Sequence, residues 1–191
     1  MTSELDQTSG GAKGNRFFTG AIILAIVGLL GLIGWGLANN SEERPQVGDP
    51  APDVALAFFD GYGWETADAA MLSDMQGQIV ILNFWASWCV ECTYEADDLE
   101  NTWQAYADQG VIMLGVAYTD IDSQSLEFLE EYSITYPNAP DLGGEISAAF
   151  HLTGVPETVV IDQDGRIAAS TIGPVRAEDL AAVLEQLLAD S

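Results

Sequence analysis

Two cysteines are present in 191 residues, and they stand together as Cys89-Val90-Glu91-Cys92. Two intervening residues let one thiol reach the other, so the pair can form, break and exchange a disulfide. The pair directly follows an apolar run, Ile79 to Trp85, and opens a helical pattern. Free N–H groups and the dipole at a helix start favour a thiolate, which is the nucleophile in disulfide exchange. Cys89 is therefore expected at an exposed helix start, with Cys92 one turn inside. A structural zinc site needs about four ligands, and beside the two thiols the chain offers a single histidine, His151. We expect no metal and no cofactor. An inert structural disulfide would close a very short loop and constrain the unfolded chain little.

Proton handling needs an acid near the second thiol. Glu95 follows Cys92 by three residues, one helical turn along the same side. The helix is read as burying Ala96, Leu99 and Trp103, with Glu95 at the border of that stripe, where partial burial raises a carboxyl pKa toward usefulness in proton transfer. Glu91 is nearer in sequence and expected to be exposed. Trp85 and Trp88 flank the pair as aromatic bodies packed under or beside it. His151 reads as a packed or surface residue in a short helix.

The elements that position these groups alternate. Strands are expected at 54–58, 79–85, 111–117, 158–161 and 166–172, and helices at 90–108, 123–132, 144–150 and 177–189. An Asp162-Gln163-Asp164-Gly165 turn marks a hairpin between the last two strands. The consistent fold class is α/β, a mixed central sheet with a parallel βαβ half and an antiparallel half, flanked by helices.

Upstream, residues 17–38 carry no charge and would span about 33 Å as a helix, close to the hydrocarbon thickness of a bilayer. Lys13 and Arg16 precede the run and Trp35 sits near its far end, which places the N-terminus in the cytoplasm and the rest of the chain outside. A cleaved signal peptide is the rival reading; the run exceeds an ordinary signal-peptide core. The expected organisation is a cytoplasmic tail at 1–16, one N-terminal transmembrane anchor at 17–38 in contact with the lipid bilayer, a linker at 39–45 and a single domain at 46–191. Thirty acidic residues against five basic ones make nucleic acid a poor partner.

With these motifs in place, the chain resembles a family. VGDPAPD near the domain start, LSDMQGQIVILNFWASWCVEC followed by TYE, and GVPETVVIDQDGRI look like the membrane-anchored thioredoxin-like proteins of the ResA, TlpA and CcmG (DsbE) type. The resemblance covers residues 46–190. It implies the thioredoxin-like fold, a redox-active Cys89-Cys92 disulfide and a reductant of protein disulfides, often apocytochrome c in cytochrome c maturation. It further implies a cis-proline loop at Val155-Pro156 that binds substrate together with Trp88, and a proton-transfer role for Glu95. An integral membrane thiol carrier of the CcdA or DsbD type would supply electrons. One departure is visible: Glu91 occupies the place where many members have proline. Asn83 occupies the strand position where ordinary thioredoxins have a buried aspartate, so the usual carboxylate is missing there and Glu95 is the candidate to replace it. A general extracytoplasmic thiol reductase, a thiol peroxidase and a copper-binding protein using both thiols and His151 are the alternatives; the Pro-x-x-x-Thr-x-x-Cys pattern of the peroxidases is absent.

Overall fold

The computed structural model describes residues 15–39 and 44–190. Residues 1–14 of the expected tail and 40–43 of the expected linker lie outside them. The chain divides into two units, Met1–Glu43 and Arg44–Ser191.

In the first unit Asn15–Asn39 form one helix, α1. Side chains are described from Thr19 to Trp35, and all of these are exposed. That stretch rises about 25 Å at 1.5 Å per residue, less than the roughly 30 Å of a hydrocarbon core. Among the described residues no helix is long and apolar enough to cross a membrane.

The second unit is built on a five-stranded sheet ordered β5-β4-β3-β6-β7. Its strands are β3 (Ile79–Trp85), β4 (Val111–Tyr118), β5 (Asn138–Asp141), β6 (Glu157–Ile161) and β7 (Ile167–Ile172). A small antiparallel pair, β1 (Ala55–Ala57) and β2 (Ala69–Met71), precedes it. The strands β3, β4 and β5 run parallel, with Ile79 opposite Val111 and Gly115 opposite Asn138. The other two are antiparallel, β6 beside β3 and β7 beside β6. This is the mixed α/β sheet expected from the sequence.

Every residue of β3 is buried because helices and loops cover both faces. Side chains alternate across a strand. Ile79, Ile81 and Trp85 pack toward Leu99, Leu180 and Leu184 of α3 (Ala96–Tyr106) and α6 (Ala177–Ala189). Val80, Leu82 and Phe84 face Leu56, Met75, Ile146 and Phe150 on the other side. Ile146 belongs to α5 (Glu145–Ala149). The hairpin turn after β6 is held by Asp162, whose Oδ1 accepts from the N–H groups of Asp164 (3.0 Å) and Arg166 (2.8 Å). Gly165 there adopts φ +77°, a backbone state open to glycine without Cβ strain.

Four expectations need correction. The single helix over 90–108 is broken into α2 (Val90–Thr93) and α3, with Tyr94 and Glu95 between them. The side chain of Glu95 is committed to the interior, and its N–H reaches the Cys92 carbonyl at a long 3.4 Å. On α3 the third buried residue is Thr102, and Trp103 is half-buried. His151 lies past the end of α5 in a turn, with φ +51°. Finally, β5 was not expected from Tyr136-Pro137-Asn138-Ala139-Pro140. It is an edge strand, where proline's missing N–H leaves no broken ladder bond.

Candidate active site

The parallel strands β3 and β4 end together, and the loop leaving β3 carries the cysteine pair. Asp120 fixes that loop. Its Oδ2 accepts from the N–H of Ser87 (2.6 Å) and the hydroxyl of Ser125 (2.9 Å). Its Oδ1 accepts from the Ser87 hydroxyl (2.9 Å) and the N–H of Ile121 (2.8 Å). Ile121 and Ser125 stand at the start and in the body of α4 (Asp122–Glu131). One buried carboxylate thus ties the residue two before Cys89 to the next helix. Sequence reasoning did not single out Asp120; the available signal was an acid just past the C-terminal end of a parallel strand.

Cys89 caps α2, and Cys92 lies inside it. The two form a disulfide with Cα atoms 5.3 Å apart. The N–H of Cys92 donates to Sγ of Cys89 at 3.1 Å, so in the reduced protein a thiolate on Cys89 meets a ready donor. The expected exposure of Cys89 is corrected: it is 4% exposed and Cys92 2%. Trp88, Val90 and Tyr94 stand exposed around the pair, and Glu91 is exposed as well. The indole N–H of Trp88 donates to the Thr119 carbonyl (3.4 Å). Trp85 lies beneath the loop, stacked on Phe128 at 4.6 Å and donating through Nε1 to Oδ1 of Asn138 (2.9 Å).

Glu95 is more deeply placed than the border position expected for it, with no exposed surface. The break between α2 and α3 turns its side chain under the sheet end. Oε1 accepts from Nδ2 of Asn83 (2.8 Å), and Oε2 accepts from the N–H of Val175 (2.8 Å). Burial pushes its carboxyl from 4.5 up to about 7, the two hydrogen bonds hold it down in part, and the charge of Asp98 raises it further. Tyr136 is buried nearby, its phenol pushed well above the ordinary range by burial and then by Glu95 and Glu100. A carboxyl that titrates near neutrality, one turn from a cysteine, can take or give a proton as a disulfide opens.

The Val155-Pro156 peptide is cis. Val155 packs against the cluster that contains both cysteines, and Pro156 is buried with its carbonyl accepting from the N–H of Gly173 (2.9 Å). Glu157 follows at once, wholly buried, and forms an ion pair through Oε1 with the guanidinium of Arg44. Cys89, Cys92, Glu95 and Val155 therefore contribute to one sheet end, and Trp88 forms its exposed rim. His151 is half-buried beyond α5.

Comparison with known proteins agrees with this geometry. A thiol-disulfide oxidoreductase ResA from Bacillus thuringiensis subsp. konkukian (strain 97-27) is 29% identical over 178 residues, covering 92% of this chain and 98% of that one. A Chlorobium tepidum crystal structure, described as a thiol:disulfide interchange protein DsbE, superposes with a TM-score of 0.66. It is 25% identical and covers 75% of this chain and 99% of that chain. A secreted thiol-disulfide isomerase from Corynebacterium glutamicum gives a TM-score of 0.65 at 25% identity, covering 78% of this chain and 95% of its own. These homologues and structural neighbours are thiol-disulfide oxidoreductases, and the sheet, helices and cysteine pair described above are thioredoxin-like. The AhpC/TSA family model matches residues 47–170, and the chain belongs to that family.

Proposed function

We propose that the protein is a membrane-anchored, extracytoplasmic reductant of protein disulfides, with apocytochrome c as a substrate. The observation that carries this reading is the Cys89-Cys92 disulfide set beside a wholly buried Glu95. In the reduced protein the Cys89 thiolate attacks one sulfur of a substrate disulfide. That bond breaks, a mixed disulfide forms, and the leaving substrate thiolate takes a proton from solvent. Glu95 takes the proton of Cys92, whose thiolate then attacks Sγ of Cys89. The second substrate thiolate leaves and the internal disulfide closes. Two electrons have passed from the dithiol to the substrate.

Carboxylates at Glu91 and Glu95 disfavour thiolates at the pair. Strong oxidants depend on a stabilised reduced form, so this arrangement favours donation. Trp88 and the Val155-Pro156 loop would receive the substrate segment. A membrane thiol carrier of the CcdA or DsbD type would return electrons, since an exported donor must be recharged.

For the anchor, the support is the uncharged run at 17–38 and the exposure of apolar residues all round α1 from Thr19 to Trp35. The similarity to ResA, at 92% of this chain, extends well beyond the second unit. Under this reading residues 1–16 are cytoplasmic, 39–45 link, and 46–191 form the catalytic domain.

The test is electron transfer from the reduced full-length chain to an oxidised peptide carrying a Cys-x-x-Cys-His haem-attachment motif. A cysteine pair in an unrelated oxidised protein is the comparison. Preferential reduction of the haem-attachment peptide is expected. Equal rates would leave a general reductase, and no reduction of either would refute donation.

A further inference from the structure

Asn83 interrupts an otherwise apolar strand. It is wholly buried on β3, on the same sheet face as Ile81 and Trp85, and stands opposite Thr158 of β6. Its Nδ2 donates both to Oε1 of Glu95 (2.8 Å) and to Oγ1 of Thr158 (3.0 Å). Among the described residues its amide oxygen, equally buried, finds no hydrogen-bond partner.

A buried acceptor left idle is costly, and a side chain that tolerates it is held by something stronger. Turning the amide over would place Oδ1 against the carboxylate of Glu95. An ionised carboxylate only accepts hydrogen bonds, so the amide must present nitrogen to it. The idle oxygen is thus the cost of aiming a donor at Glu95. Of the two donors to that carboxylate, the other is the backbone N–H of Val175, which follows the path of the chain.

We propose that Asn83 is a positioning residue of the redox site, fixing the carboxylate of Glu95 and governing how tightly it holds its proton. The inference rests on the proton-transfer role proposed above for Glu95. Other groups also act on that carboxylate. Asp98 lies one turn along α3, paired at 3.7 Å with Arg176 at the start of α6. Tyr136, in the segment before β5, is coupled to it by charge, and Cys92 lies three residues before it in α2. Burial and Asp98 favour the protonated form, and the two donors favour the ionised one. Removing the Asn83 donor leaves the first influence less opposed. Placing a second carboxyl there adds like charge to it.

The experiment follows the side-chain carboxyl carbon of Glu95 by NMR against pH, in the oxidised full-length chain labelled on glutamate. The signal is identified by its loss in Glu95→Gln. Asn83→Leu is expected to raise the midpoint by about one pH unit, a tenfold gain in proton affinity. Asn83→Asp keeps the shape of the side chain and is expected to raise it further. Should the leucine variant fail to fold, the aspartate variant decides. A midpoint at or below that of the parent in the folded variant overturns the proposal. Failure of the underlying reading has a separate signature: Cys92 would titrate alike in the parent and in Glu95→Gln, whatever the carboxyl midpoint does in the Asn83 variants.

Discussion

Glu95→Gln tests the burial argument through stability. The folded chain raises this carboxyl from 4.5 to about 7, so the native state binds its proton more tightly than the unfolded state does. The stabilisation is fully present below the unfolded value of 4.5 and is lost as pH rises through about 7. At about 1.4 kcal/mol per pH unit, the loss across this window amounts to about 3 kcal/mol. Glutamine keeps the size of the side chain and cannot ionise. Its oxygen can accept from the Val175 N–H while its nitrogen donates to the turned-over amide of Asn83, so the exchange leaves at most an offset that does not vary with pH. Urea unfolding of the oxidised parent and variant would therefore give curves that differ in slope. The parent should lose about 3 kcal/mol more than the variant between 4.5 and 7. The remaining carboxylates are common to both proteins and drop out of the difference. Parallel curves across the window would show that Glu95 titrates near its ordinary value and would refute the reasoning.

Three further outcomes are expected. Cys92→Ala should trap a covalent mixed disulfide with the partner protein, whereas Cys89→Ala traps little, because the Cys92 N–H supports a thiolate on Cys89 and the chain has no third cysteine to resolve the adduct; equal trapping on non-reducing gels would overturn the order of attack. Arg44→Ala leaves the buried Glu157 carboxylate without its ion-pair partner and should cost about 3–5 kcal/mol in denaturant unfolding; a loss near zero would mean that the carboxylate is not buried as a charge. Gly115→Ala would drive a methyl into Oδ1 of Asn138 and bring it to 2.9 Å from Nε1 of Trp85, so it should break the bond between them, change the tryptophan fluorescence and lower stability; an unchanged tryptophan spectrum with unchanged stability would contradict that packing.

Much of the site was readable because it depends on neighbours in sequence. The Cys89-Cys92 spacing, the apolar run that leads into it and the Asp162–Gly165 turn are local patterns, and β3 and the hairpin follow from them, as α6 follows from its own helical periodicity. Local pattern also explains the errors. An unbroken helical periodicity over 90–108 says nothing of the pull on Glu95 from Asn83 and Val175, which lie 12 and 80 residues away. The segment Asn138–Asp141 shows no alternating apolar pattern, and its place at the sheet edge lets β5 include Pro140.

By itself the order of residues determined the chemistry on offer: two thiols at redox spacing, one acid a turn beyond, a strand to carry them and an uncharged run ahead of the domain. The tertiary structure decided how that chemistry is tuned. Depth is a property of the whole fold, so no sequence neighbour could report that Glu95 is fully enclosed or that both cysteines are nearly so. The same holds for Asp120, which fastens the cysteine loop from 33 residues away, and for Asn83, which turns its nitrogen to Glu95 and leaves its oxygen idle. Desolvation and long-range hydrogen bonds set the proton affinity at the site, and both arise when distant segments close over the same end of one sheet.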